Sequence, residues 1–224
     1  MCNSVWGNPK DLCSTRKDTD NARILKLGVH NNLPYCVDEI TNMHPMAFSD
    51  LIYAMSNGKG KDRMEASGNK LRANNTKWQT ISLCSSNASF YEKLTGPKST
   101  PDGEMMRLIE YKIDYTDVLD VSLAKRMFDH QLMENYGHAG PIYAEWLVKN
   151  KEEAERTVKA IQAKIDAELK LTQRERFWSA QVASNISGGL IVVKYLELMD
   201  WDMPRIYEWA WSVQLSASNL SLIC

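Results

Sequence analysis

The sequence of 224 residues contains no apolar run approaching the ~18–20 residues that a membrane-spanning helix requires, so a transmembrane segment within it is excluded. Met1 is not followed by a basic stretch and then an apolar one, and no secretory signal is expected. Charge of one sign is also missing. There are 27 Lys and Arg against 28 Asp and Glu, a formal net charge of -1, which excludes binding of nucleic acid by the chain as a uniform polycation. The five cysteines (Cys2, Cys13, Cys36, Cys84, Cys224) include no C-x-x-C pair. A disulfide scaffold or zinc ribbon is therefore not expected, and a reducing cytoplasm is. His30, His44, His130 and His138 show neither H-x-x-x-H nor H-E-x-x-H spacing, which argues against a histidine metal site. No G-x-S-x-G elbow, internal repeat or low-complexity tract is present.

What remains is ordinary globular composition, with 44% apolar and 25% charged residues. The length suits one domain, or a core with a helical appendage. The two halves differ in pattern. Residues 1–119 alternate helical periodicity with short apolar strands, and residues 120–211 are almost wholly helical in pattern.

A buried parallel strand is predicted over Leu33–Val37, closed by Asp38-Glu39-Ile40. A helix follows, with Pro45 in its first turn, Phe48, Leu51, Ile52 and Met55 on one face, and Gly58 to stop it. Residues 59–77 carry Lys59, Lys61, Arg63, Lys70, Arg72 and Lys77 against Asp62 and Glu65, a basic loop in an otherwise neutral half. Trp78 to Cys84 reads as a second strand running into Ser85-Ser86-Asn87. After a short helix and a loop from Gly96 to Gly103, Arg107 to Asp114 reads as a third, with Ile109, Tyr111 and Ile113 on one face. Further on, helices are predicted over Val121–Tyr136, ending at Gly137, over Ile142–Asn150 and over Glu152–Leu169. The last carries the stripe Ala154, Val158, Ile161, Ile165, Leu169 and the ion pairs Glu152–Arg156 and Glu155–Lys159. Gly188-Gly189 is expected to interrupt the next helix, and Asp202-Met203-Pro204 to start the final one.

An apolar strand ending in Asp38-Glu39 has the pattern of a Walker B motif, where one carboxylate serves the magnesium shell of a nucleotide and its neighbour polarises water. The plain alternative is a solvated strand end. Asn87, at the tip of the next apolar strand, stands where a sensor for the γ-phosphate or catalytic water belongs in a parallel nucleotide-binding sheet; alone it reads equally as a turn residue. Arg107 and Arg63 compete as candidates for an arginine finger. Two glycine-lysine stretches, Gly58 to Lys61 and Gly96 to Thr100, fail as phosphate loops. Neither has G-x-x-x-x-G-K-[ST] between a strand and a helix. Met1 to Pro9 reads as the tail of a helix ending at Gly7, the helix that a phosphate loop would begin.

The order of these segments resembles the phage and plasmid ATPases of the family called domain of unknown function DUF927, which are linked to helicase-primase proteins. The resemblance rests on SVWGNP (4–9), NNLPYCVDEI (31–40), NGKGKDR (57–63), WQTISLCSSN (78–87), MRLIEYKID (106–114), NYGHAGPIYAEWL (135–147) and RERFWSAQVASNISGGL (174–190). It implies an α/β fold: an incomplete RecA/AAA-like P-loop NTPase core with a parallel sheet, followed by a mostly helical region. It is also similar to superfamily-three helicases, in which a strand ending in Ser-Asn follows the Walker B strand. Carried over, Asp38 and Glu39 match the Walker B pair, with Asp38 the Mg²⁺ residue, Asn87 the sensor, and Arg107 the arginine before the last core strand.

The expected organisation is thus residues 1–119 as the later part of an ATPase core, 120–211 as a helical region and 212–224 as an unassigned tail. The family's Walker A loop should lie just upstream of Ser4, so the chain is expected to be a piece of a phage or mobile-element replication ATPase, inactive alone. ATP and Mg²⁺ are the expected cofactors of the intact protein, which the resemblance implies is a homo-oligomeric ring. Single-stranded DNA is the expected partner of Lys59, Lys61 and Arg63. The alternatives are a non-catalytic DNA-binding or assembly subunit that keeps the sheet as scaffold, and an inactive gene remnant.

Overall fold

The computed structural model describes residues 2–15, 17–66, 68, 70–95, 102–113, 120–171, 176–210 and 212. Their contacts divide them into two units, one within 1–104 and 120–137, the other within 105–119 and 138–224.

The first unit is built on a three-stranded parallel sheet. Strands β1 (Cys13–Thr15), β2 (Tyr35–Asp38) and β3 (Ser82–Cys84) lie in that order, with Cys36 facing Cys13 on one side and Leu83 on the other. Parallel strands need a crossover, and helix α1 (Asp20–His30) supplies the one between β1 and β2. Thr19 caps it by accepting the Ala22 N–H at 3.3 Å. Helix α2 (Pro45–Ser56) follows β2 as predicted, with His44 as cap, Pro45 in its first turn, and Phe48, Leu51 and Ile52 buried. Gly58 takes φ +70° just past its end, a left-handed position that costs glycine little. Leu27, Tyr35, Val37, Ile40, Trp78 and Leu94 are likewise buried in this unit.

Between α2 and β3 the basic segment is an antiparallel ribbon rather than a loop. It has bridges at Lys59–Lys77 and Met64–Leu71, and Gly60 N–H donates to Thr76 O at 2.9 Å. The ribbon lies close on α1: a Cβ on Gly28 would stand 2.4 Å from Thr76 Cγ2. Trp78 is buried outside the sheet and donates its Nε1–H to Met55 O at 2.7 Å, so the predicted second strand shortens to Ser82–Cys84. The amino-terminal helix tail is replaced by a 3-10 turn, Cys2–Val5. Helix α3 (Phe90–Thr95) follows β3, and α4 (Asp102–Met105) includes Gly103, which had been expected in the loop. The second rejected loop, Gly96 to Thr100, lies outside the described residues.

Helices α5 (Val121–Arg126) and α6 (Leu132–Glu134), joined by a π-turn over Met127–Gln131, form the helical stretch predicted before Gly137. Gly137 has φ +76° and donates its N–H to Ser4 O at 2.7 Å.

The second unit is helical, with α7 (Ala139–Lys149), α8 (Lys151–Leu169), α9 (Arg176–Leu190) continuing into a π-turn over Ile191–Tyr195, and a last helix over 203–210. Ile165, Val182, Ala183, Ile186 and Met203 form its core, and Val158, Ile161 and Leu169 of the predicted stripe pack against it. The ion pairs on α8 differ from the prediction. Arg156 pairs with Glu153 at 2.6 Å and Glu155 with Lys151 at 3.9 Å. Gly188-Gly189 does not break α9 either. A Cβ at Gly189 would stand 2.6 Å from Met203 Cε and one at Gly188 3.3 Å from Tyr143 Oη, so the glycines permit close packing within a continuous helix.

The third predicted strand is absent among the described residues of 107–113, which are turn and irregular backbone. This segment packs on the helical unit instead. Leu108 O accepts the Trp178 Nε1–H at 3.0 Å, Ile109 joins the helical core, and Tyr111 meets the edge of Trp209 with ring centroids 5.4 Å apart. Alternating apolar residues are satisfied as well by a helical surface as by a sheet. Asp114 and residues 213–224 lie outside the described residues.

Candidate functional site

Side chains at the carboxyl ends of parallel strands project where the chain leaves the sheet, and here those ends carry polar residues. Asp38 ends β2 and Glu39 follows it, both exposed. Ser85, just past β3, binds to both. Its hydroxyl donates to Asp38 Oδ1 at 2.6 Å, and its Oγ accepts the Glu39 N–H at 2.9 Å. The backbone continues the link, with Ser85 N–H donating to Val37 O at 3.2 Å and Ile40 N–H to Ser85 O at 3.1 Å. Glu39 has φ +55°, a left-handed conformation that a residue with a Cβ adopts only at a cost. Such a backbone turns the Glu39 side chain out of the alternation that β2 would otherwise impose.

The loop after Glu39 joins the two strand ends. Thr41 Oγ1 accepts the Asn87 N–H at 2.9 Å and the Ser86 hydroxyl at 3.4 Å. Lys93 of α3 donates from Nζ to Thr41 O, to Met43 O at 3.2 Å and to Ile40 O at 3.5 Å, so one ammonium gathers three carbonyls of the loop. Asp38, Glu39 and Asn87 therefore stand on two adjacent strand ends held together by Ser85, Thr41 and Lys93. Asn87 itself is exposed.

Arg107 belongs to the second unit, where its guanidinium lies 5.7 Å from the Phe177 ring centroid. Arg63 is on the basic ribbon and donates from Nη2 to Asn21 Oδ1 of α1 at 2.9 Å. Lys59 pairs with Asp62 at 3.1 Å, and Asp62 is held below its usual carboxyl value by hydrogen bonds from Asn74 and Lys59. Lys61 is exposed. Lys61, Arg63 and Arg72, with Asn21, Ile24 and Thr76, line a cleft of about 350 Å³ between α1 and the ribbon.

Among the described residues no group of three or more His, Cys, Asp or Glu side chains is arranged to hold a metal ion. A single exposed carboxylate at a strand end fits a different case, a magnesium ion that arrives with most of its ligands supplied by water and phosphate oxygens.

Residues 1–76 match the family described as Domain of unknown function (DUF927). The resemblance read from the sequence is thereby borne out over the stretch that includes β1, β2, α2 and most of the basic ribbon. Among solved structures, the chain is similar to SCCmec type IV Cch, an active helicase, with a TM-score of 0.71 and 21% identity. That likeness covers 92% of this chain and 37% of the helicase chain. At this identity the likeness is one of fold. The mixed α/β unit and the helical unit that follows it are thus the architecture of a part of that helicase. No curated protein matches the chain.

Sequence reasoning passed over three residues of the site. In the sequence Ser85 belongs with Asn87 to a polar strand tip, and nothing local gives it a role of its own. Thr41 lies in a loop whose pairing is tertiary, and Lys93 sits in a short helix whose sequence carries no signal for the carbonyls it meets.

Proposed function

We propose that the chain forms part of a helicase-like P-loop ATPase module of a phage or mobile-element DNA replication protein. The reading is carried by one observation: an Asp38-Glu39 pair at the end of the central parallel strand, tied by Ser85 to the strand end that bears Asn87. The match to DUF927 and the fold of the helicase neighbour support it.

Magnesium bound with ATP would neutralise the charge on the phosphates. Asp38 accepts the Ser85 hydroxyl at one carboxylate oxygen and is otherwise exposed, so it would be the residue that holds the Mg²⁺ ion. Glu39 is the group that accepts a proton from the attacking water, as a carboxylate must to act as base. Asn87 orients that water through its amide. Arg107 is the candidate that serves a neighbouring subunit's nucleotide in a homo-oligomeric ring, with Arg63 its competitor. The 224 residues contain no G-x-x-x-x-G-K-[ST], so in this reading the phosphate cradle comes from sequence other than these residues.

Lys59, Lys61 and Arg63 on the ribbon are assigned to the backbone of single-stranded DNA, where cationic side chains along an extended element exchange counterions for phosphates. The cationic cleft beside α1 also favours a second reading, a DNA-binding or assembly subunit that does not turn over ATP. Measuring ATP hydrolysis with and without an upstream segment carrying a Walker A loop distinguishes the two. Turnover that appears with the segment and is lost in Glu39→Gln supports the ATPase. DNA binding that is lost in a Lys59/Lys61/Arg63 triple alanine variant, without nucleotide binding under either condition, supports the second.

A further inference from the structure

The last helix of the second unit, over 203–210, holds one cation of its own unit on an aromatic ring. Lys164 Nζ of α8 lies 4.9 Å from the Tyr207 ring centroid and 3.7 Å from Glu168 Oε1, and the Tyr207 hydroxyl donates to Glu168 Oε2 at 2.7 Å. Ring, carboxylate and cation complete one another there. Trp209, two residues on, stands on the opposite side of the helix. On that side Asp202, Arg205, Ile206 and Trp209 follow at helical spacing and, with Asp200 and Trp201, line a cleft of about 340 Å³. Trp201 is 45% exposed and Trp209 52%. Among the described residues no Lys or Arg lies over either indole, and Arg205 makes no ion pair with Asp200 or Asp202. Over residues 197–210 the exposed carboxylates of Glu197, Asp200, Asp202 and Glu208 stand against Arg205 alone.

We propose that this cleft takes an arginine side chain from a basic segment of a partner polypeptide. The inference does not depend on the ATPase reading. An indole is the ring that attracts a cation most strongly, and a flat guanidinium stacks on it while its N–H groups stay free for a carboxylate. Asp200 and Asp202 supply those acceptors, two negative charges against the one positive charge of Arg205, so the cleft stays acidic with Arg205 in place. Its walls are set before a ligand arrives, which lowers the cost of binding. Tyr111 packs against Trp209 in a T-shaped pair with centroids 5.4 Å apart, and Asp202 Oδ1 accepts the Arg205 N–H at 3.1 Å as the helix cap. Exposed indoles also stack nucleobases. Charge decides against that ligand here, because the four carboxylates repel a phosphate backbone. The volume, at the low end of the ~300–1,000 Å³ of small-ligand sites, suits one side chain.

The seven tryptophans give seven indole N–H signals in the nitrogen-15 NMR spectrum of the full chain, and Trp201→Phe and Trp209→Phe assign the two of the cleft. The probe is a blocked peptide Gly-Gly-Arg-Gly-Gly, compared with the same peptide carrying citrulline, which keeps the shape of arginine without its charge. A short oligothymidylate tests the nucleic-acid alternative. The arginine peptide is expected to shift the Trp201 and Trp209 signals saturably at millimolar concentration, less so as salt rises, while the other five signals stay in place. The citrulline peptide and the oligothymidylate are expected to leave both unmoved. The Asp200→Asn/Asp202→Asn variant is expected to lose the response. It keeps its fold, because asparagine at 202 still caps the helix, and its five other unmoved indole signals verify that. No shift with the arginine peptide would overturn the proposal. So would equal shifts with citrulline, a response retained in the double variant, or shifts caused by the oligothymidylate.

Discussion

Ser85 Oγ stands 2.6 Å from Asp38 Oδ1 across 47 positions of sequence, and the same oxygen accepts the Glu39 N–H. One hydroxyl thus holds both members of the acidic pair, through the side chain of the first and the backbone of the second. Ser85→Ala removes both bonds. Loss of about 1–2 kcal/mol is expected in urea unfolding, set by a charged hydrogen bond and a backbone donor left to find water. Ser85→Thr, which keeps the hydroxyl, is expected to recover part of it.

Glu39 has φ +55°, where any Cβ is strained. Glu39→Gly is expected to raise stability by about 1 kcal/mol, the cost that the left-handed conformation imposes on an L-residue. In the ATPase reading the same variant loses hydrolysis. A stability gain with a functional loss at one position is the mark of a residue retained for its chemistry, and comparing the denaturation midpoint with turnover measures both.

Binding of single-stranded DNA by the ribbon is expected to weaken as salt rises. The Lys59/Lys61/Arg63 triple alanine variant should reduce the slope of log affinity against log salt by about 2, at ~0.7 per phosphate contact on a single strand. Fluorescence anisotropy with a labelled oligonucleotide at several salt concentrations reads the slope directly. An unchanged slope would remove the ribbon from the DNA footprint.

Asp18 meets Lys26 at 2.7 Å, and the ammonium holds the Asp18 carboxyl below its usual value. A depressed folded-state value stabilises the protein above the unfolded-state value of about 3.9, and this contribution disappears as pH falls through the folded-state value. Asp18→Asn should therefore be less stable than the wild type near neutrality, by less than about 1 kcal/mol for so exposed a pair. The difference should close in acid. Urea titrations at a series of pH values test the sign.

The parts of the fold legible in the sequence are those fixed by local patterns. The apolar run before Asp38, the periodic Phe48, Leu51 and Ile52, and the stripe from Val158 to Leu169 each state their element in adjacent residues. β1 is three residues long and carries only Cys13, Ser14 and Thr15, too short to show a period; its pairing with β2 identifies it. The segment after Arg107 alternates like a strand, yet Trp178 and the helical core take it up. The glycines at 188 and 189 look like breakers until Tyr143 and Met203 are found against them. Within the candidate site, residue types at strand ends single out Asp38, Glu39 and Asn87 as candidates. The clamp of Ser85, Thr41 and Lys93 depends on contacts between distant segments, and no local spacing encodes them.

The central claim is that the Asp38-Glu39 strand end works on a nucleotide. The most direct measurement is ATP turnover by the chain supplied with a segment carrying a Walker A loop, comparing the wild type with Glu39→Gln while ATP binding is followed in parallel. The account predicts that ATP binding persists in Glu39→Gln while turnover falls by about 100-fold or more, the scale on which a general base contributes. Equal turnover in the two proteins would contradict it.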